Sequence, residues 1–162
     1  MVVPDDLAMV SDLADPCAKV NCNPWETCAF GICSLNPSSR WDVFAVHGTV
    51  APVNGNGNPW DNNVAPFDKP DPMVCLTIAA VKGCSSIVQD SYAPVWGTKL
   101  AAAAKASDLL SAFPFEYVDS DLIGSEVICK GITAINASSI GVVQPITSCT
   151  LGSFTIKLSY AP

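Results

Sequence analysis

Three short segments set acidic side chains beside strand-forming residues: Trp60-Asp61, Pro70-Asp71-Pro72-Met73-Val74 and Asp119-Ser120-Asp121-Leu122-Ile123-Gly124. Carboxylates are hard oxygen ligands, and calcium takes roughly six to eight oxygens from carboxylates, carbonyls and water on flexible loops. Aspartates at strand ends are a sensible supply for such an ion, with Asn62, Asn63 and loop carbonyls to complete the shell. Several carboxylates converging on one end of a fold would repel one another unless a cation neutralised them. The competing explanation for each aspartate is local, because aspartate beside proline, serine or glycine often bonds its own backbone as an Asx-turn or cap.

Catalytic chemistry has less to work with. His47 is the single histidine and sits in a strand-like run between Val46 and Gly48. The sequence has no Gly-x-Ser-x-Gly elbow, no phosphate-cradling glycine loop and no metalloprotease helix motif. With all eight cysteines expected to pair, no thiol nucleophile remains. The residues predict a binding module and not an enzyme.

The elements that must position the aspartates read as strands. Val43 to Val50 is β-branched and aromatic, and Met73 to Ala80 is a continuous apolar run. Phe154, Ile156, Leu158 and Tyr160 alternate with Thr155, Lys157 and Ser159, as in a half-buried strand. Asn54-Gly55-Asn56-Gly57-Asn58-Pro59 is dense in residues that tolerate positive φ and predicts a loop. The exception to β character is Leu100 to Phe113, where Ala101 to Ala106 has strong helix propensity and leads to Leu109, Leu110 and Phe113 at helical spacing. We expect one short helix there, lying on a sandwich.

Four of the eight cysteines fall between Cys17 and Cys33 with spacing C-x4-C-x5-C-x4-C. So short a segment cannot bury a core without cross-links. We expect disulfides Cys17–Cys28 and Cys22–Cys33. A zinc site is the alternative, but the paired C-x2-C knuckles usual for structural zinc are missing and no histidine lies nearby. Cys75 and Cys84 flank Ala79 to Gly83, a plausible hairpin turn, and so could face each other across adjacent strands, which leaves Cys129 with Cys149. Paired cysteines imply an oxidising compartment: secreted, periplasmic or cell-surface.

The net charge of −7, with Arg40 the only arginine, argues against a nucleic-acid partner. Met1 to Asp6 has neither a basic nor an apolar region, so a signal peptide is not expected in this sequence. No apolar run approaches the roughly 18 residues of a membrane-spanning helix. We divide the chain into a tail or linker at 1–16, a cysteine-rich cap at 17–34, a proline- and serine-containing linker from Leu35 to Ser39, and a main domain at 41–162.

Residues 41–162 resemble a C2 domain. The resemblance rests on Pro70-Asp71-Pro72-Met73-Val74 at a strand start, on Gln89-Asp90-Ser91-Tyr92-Ala93-Pro94-Val95-Trp96 as a turn, and on Phe115 to Gly124 with its Asp119-Ser120-Asp121 and Ile123-Gly124. Residues 17–34 resemble part of an epidermal-growth-factor-like module. The C2 resemblance implies an all-β fold, an eight-stranded antiparallel sandwich. It also implies calcium between a first loop carrying Asp61, Asp68 and Asp71 and a third loop carrying Asp119 and Asp121. Leu122-Ile123-Gly124 follows Asp121 at once, so the third loop is short for the family, and Asp121 aligns either with the second aspartate of the pair or with a later one.

The function this implies is calcium-dependent binding or adhesion outside the cytosol, to a lipid headgroup, a surface protein or a second copy of the chain. Trp60 is a candidate membrane or partner contact if it stands on a loop tip, with core packing as the open alternative, whereas Trp96 is expected in a packed turn. A disulfide-hardened structural subunit of an extracellular assembly is the alternative, and a carbohydrate-binding module a third reading. Asn136-Ala137-Ser138 matches the N-glycosylation sequon, a motif short enough to arise by chance.

Overall fold

The structure is a computed structural model, and it describes residues 15–61, 69–121, 124–141, 143–146 and 149–162. The chain divides into two compact units, Met1–Asn36 and Pro37–Pro162. The first is built on a hairpin of β1 (Glu26–Ala29) and β2 (Ile32–Leu35), closed by Phe30 and Gly31 at φ of 52° and 80°. Two consecutive residues with positive φ match the twist of a two-residue hairpin loop. Disulfides Cys17–Cys28 and Cys22–Cys33 tie the preceding chain to both strands, and the register sets Cys28 opposite Cys33. Cross-links thus take the place of a hydrophobic core in a unit this small.

The second unit is a sandwich of two antiparallel four-stranded sheets. One has the order β6-β3-β10-β9, from β3 (Arg40–Val50), β6 (Lys99–Lys105), β9 (Val143–Ile146) and β10 (Gly152–Tyr160). The other has the order β5-β4-β7-β8, from β4 (Pro72–Ile78), β5 (Val81–Cys84), β7 (Phe113–Asp119) and β8 (Glu126–Thr133). The all-β, eight-stranded sandwich expected from the sequence is the observed architecture. Trp41, Val43 and Ala45 of β3 alternate inward, as do Phe113, Phe115 and Tyr117 of β7. Phe154 on β10 joins the two sheets, with its ring edge-on to Phe115 at 5.5 Å and Tyr117 at 5.7 Å between centroids.

Disulfides Cys75–Cys84 and Cys129–Cys149 lie in this unit, and Cys75 and Cys84 are directly opposite across β4 and β5. The connection between those strands is Ala79-Ala80, both at positive φ. The sheet edges meet where β5 passes β6: a Cβ on Gly83 would collide with the carbonyl of Leu100, so only glycine permits the approach. Among the described residues no helix is long and apolar enough to cross a membrane.

The short helix expected between Leu100 and Phe113 is present, but its expected start at Ala101 is corrected by the structure. Residues 99–105 form β6, and only Ala106–Leu110 is helical (α1). Pairing with β3 overrides the alanine propensity, since a strand there fills the sheet edge whereas a helix would leave it open. Ala103 has a φ of 49°, its N–H donates to Asp42 Oδ1 at 3.0 Å, and its carbonyl accepts from Arg40 Nη1 at 3.1 Å. Two polar side chains thus stand in for ladder bonds at a bulge.

Candidate metal centre

One end of the sandwich gathers the acidic residues because the register of β4 and β7 brings their loop ends together. Pro72 pairs with Asp119, so Asp71 leaves β4 where Asp119 ends β7. The backbone N–H of Asp71 donates to Asp119 Oδ1 at 2.5 Å, and the N–H of Ser120 donates to the Asp71 carbonyl at 3.0 Å. The chain after β5 continues alongside, with Val88 N bonded to Pro72 O and Ser91 N to Pro70 O. That places Asp90, at φ 52°, where its N–H donates to Asp71 Oδ1 at 2.8 Å.

Asp61 arrives on the loop after β3, whose shape depends on Asn54. Asn54 is buried; its Oδ1 accepts from the N–H groups of Asn56 and Asn58, and its Nδ2 donates to Glu126 Oε2 at 3.0 Å. Glu126 is the register partner of Asp119, so this one side chain ties the loop to the acidic end. Asn54→Ala leaves two backbone donors and a carboxylate without their partner, and is expected to lower stability by about 1–3 kcal/mol. Urea unfolding checks this, and an unchanged midpoint would show that the loop keeps its shape without Asn54.

Two groups of carboxylates result, each with oxygens within 4.8 Å of one another: Asp61, Asp119 and Asp121, and Asp61, Asp71 and Asp90. Beside them opens a cleft of about 440 Å³ lined by Asp71, Ile87, Gln89, Ser120 and Asp121. Asp119 is fully buried, and its Oδ2 has no hydrogen-bond partner among the described residues. Burial pushes the Asp119 carboxyl up to about 6, against the Asp71 N–H that favours the charged form, and the charges of Asp121, Asp71 and Glu126 add to the rise. Asp61 is pushed to about 7, first by burial, then by a hydrogen bond shared with Asp121 and by the neighbouring charges. The two ion pairs formed by described residues, Lys82–Glu116 and Lys99–Asp42, include none of these carboxylates.

Four of the aspartates expected from the sequence, Asp61, Asp71, Asp119 and Asp121, thus come together. Asp68, with Asn62 and Asn63, lies outside the described residues. Asp90 is not among the ligands expected from the sequence, although a signal exists: continuing the Cys75–Cys84 register sets Asp71 opposite Val88, two residues from Asp90. Trp60 is corrected as a surface contact. It is buried, and its indole N–H donates to the Ala51 carbonyl at 2.7 Å, because the Asn54 loop folds the ring back onto the sandwich. Trp96 is half-buried with its ring edge-on to Tyr117, and His47 is exposed on β3 and bridged to Val95.

No protein-family model and no curated protein matches this sequence. Among solved structures, the fold is shared with a C2 domain of a plant extended synaptotagmin 1, at a TM-score of 0.54 and 15% identity over 78% of this chain and 97% of that one. It is shared with the calcium-bound pair of C2 domains of extended synaptotagmin 2, at 0.52 and 13% over 77% of this chain and 46% of that one. A human GIVD cytosolic phospholipase A2, in complex with an inhibitor and terbium chloride, matches at 0.53 and 16% over 76% of this chain but 17% of its own. At these identities the likeness establishes the fold, and the C2 resemblance of the sequence holds at that level.

Proposed function

We propose that this C2-type sandwich is a calcium-binding module of an oxidising compartment, non-catalytic, whose cation-loaded end docks on a lipid headgroup or a surface protein. The observation that carries the reading is Asp119: a fully buried carboxylate with one oxygen unpartnered, within 4.8 Å of carboxylate oxygens of Asp61 and Asp121. A buried charge without a partner is costly, and a divalent cation is the partner this set of hard oxygens suits. Oxygens up to 4.8 Å apart can share one ion at calcium's roughly 2.3–2.6 Å. Asp61 belongs to both groups, so it is the residue through which two adjacent positions would share charge. The Asp71 N–H orients Asp119, and the Asp90 N–H orients Asp71.

Bound calcium would neutralise the cluster and lend the acidic end affinity for anionic groups. The calcium-bound form of extended synaptotagmin 2 and the terbium chloride complex of the human phospholipase support the reading. Four disulfides, with no free cysteine among the described residues, support the compartment. The test is thermal unfolding of the oxidised protein in EDTA and then across micromolar to millimolar calcium. A melting temperature that climbs with calcium is expected, equivalent to about 2.7 kcal/mol at a hundredfold excess over Kd, with little response to magnesium. A flat profile would overturn the calcium reading and leave a disulfide-hardened building block.

A further inference from the structure

We propose that Asn136 is an acceptor for an N-linked oligosaccharide, carried at the end of the sandwich opposite the acidic cluster. Asn136-Ala137-Ser138 is the single sequon in the chain, since Asn36-Pro37-Ser38 carries the disallowed proline. Asn136 is exposed and opens the 3-10 turn Ala137–Ser139 in the β8–β9 connection. Its Oδ1 accepts from Ser138 N at 3.1 Å and from Ser138 Oγ at 3.0 Å, while Nδ2 has no hydrogen-bond partner among the described residues. The two polar atoms thus have separate tasks. Oδ1 caps the turn, and Nδ2, the atom that takes the sugar, is engaged in no hydrogen bond among the described residues.

In the transfer, the sugar C1 bonds to Nδ2 as its bond to the diphosphate oxygen of a polyprenyl-diphosphate-linked oligosaccharide breaks. The lipid diphosphate leaves and one Nδ2 proton passes to a base of the transferase. The amide carbonyl is untouched, so both bonds to Ser138 survive and the folded turn tolerates the product. Ile135, buried one residue earlier with its N–H bonded to the Leu109 carbonyl, fixes the root of the turn.

Position along β8 supplies the rest. That strand starts at Glu126, opposite Asp119 at the acidic end, and finishes at Thr133, opposite Phe113. Its eight residues span roughly 23 Å at the usual rise per residue, so a glycan three residues beyond Thr133 stands clear of the carboxylates. β8 is also the outer strand of its sheet and carries Ile132 at 73% exposure. Outer strands with exposed apolar residues are prone to pair with other chains, and a bulky solvated group four residues on would obstruct that pairing.

The inference rests on the proposed compartment, and the experiment separates the two. The chain is secreted from N-glycosylating eukaryotic cells, and its mass is read without reduction, before and after peptide N-glycosidase in heavy-oxygen water. The expected result is one oligosaccharide, released with labelled aspartate at position 136, absent from Asn136→Gln and Ser138→Ala, and more fully occupied in Ser138→Thr. Ser138→Ala keeps the capping carbonyl, so it serves if Asn136→Gln fails to fold. Secreted, fully disulfide-bonded protein with unmodified Asn136 would overturn the site and spare the compartment, whereas free thiols would overturn both. The glycosylated and enzyme-trimmed forms should respond to calcium alike; a response lost only in the glycosylated form would overturn the placement away from the acidic end.

Discussion

Asp61→Asn is expected to raise the melting temperature of the calcium-free protein at neutral pH and to remove most of its response to calcium. The two effects have one cause. Asp61 stands among Asp119, Asp121 and Asp71, whose charges oppose its ionisation, so deleting its charge relieves repulsion when no cation is present. The same deletion removes the one carboxylate common to both groups. Affinity should fall at least about tenfold, the equivalent of roughly 1.4 kcal/mol, which is the scale of one charge-assisted contact. Asp42→Asn is the contrasting control. Asp42 bonds Lys99 Nζ at 2.5 Å and the Ala103 N–H, and those contacts hold its carboxyl below the usual range. Its loss should lower stability equally with and without calcium. Calorimetry of the two variants checks this, and Asp61→Asn that destabilised under both conditions would make Asp61 a structural residue.

The sandwich is legible in the sequence because its central strands largely keep a period of two. Phe154, Ile156 and Leu158 are buried and Lys157 and Ser159 exposed, so the side-chain pattern states which face is the core, and Thr155 departs from it, buried where the register with β3 shifts. The opposed cysteines 75 and 84 are legible for a similar reason, since a two-residue turn leaves little freedom in register. Ala101 to Ala104 is not, because alanine carries helix propensity but no side chain to reveal its pairing with β3, and the bulge that accommodates it depends on Arg40 and Asp42 some sixty positions away.

The acidic end divides in the same way. Asp119 ends β7, Asp71 directly precedes β4 and Asp121 lies two residues beyond β7, where alternation and the neighbouring apolar runs locate them. Asp90 occupies irregular chain after β5, held by backbone bonds to Pro70 and Pro72 that have no signature in side-chain type. Trp60 shows the reverse failure. An aromatic residue in a glycine- and asparagine-rich loop suggests an exposed tip, yet Asn54 organises that loop through three hydrogen bonds and turns the ring inward. One buried polar residue thus decides the direction of a neighbour six positions on.

Raising the pH from about 5 to about 8 is expected to destabilise the calcium-free protein and to strengthen the effect of calcium. In the folded chain Asp119 and Asp61 titrate at about 6 and about 7, against 3.8 for an unperturbed aspartate, so the native state holds protons that the unfolded chain has already released. Stability from these protons is complete below the unfolded value and is lost as pH climbs through the two folded values. Asp119 is fully buried, and its rise from 3.8 to about 6 corresponds to roughly 3 kcal/mol; the more exposed Asp61 adds less because solvent screens it. Calcium requires the same oxygens deprotonated, so its affinity should increase across the window in which the empty site weakens. Melting curves in EDTA and in millimolar calcium should therefore diverge toward alkaline pH. Asp61→Asn should flatten the EDTA curve by removing one of the two titrations. An EDTA curve that stayed flat between pH 5 and 8 would mean that the carboxylates are already ionised in the folded protein, and that something other than a bound proton offsets their repulsion when calcium is absent.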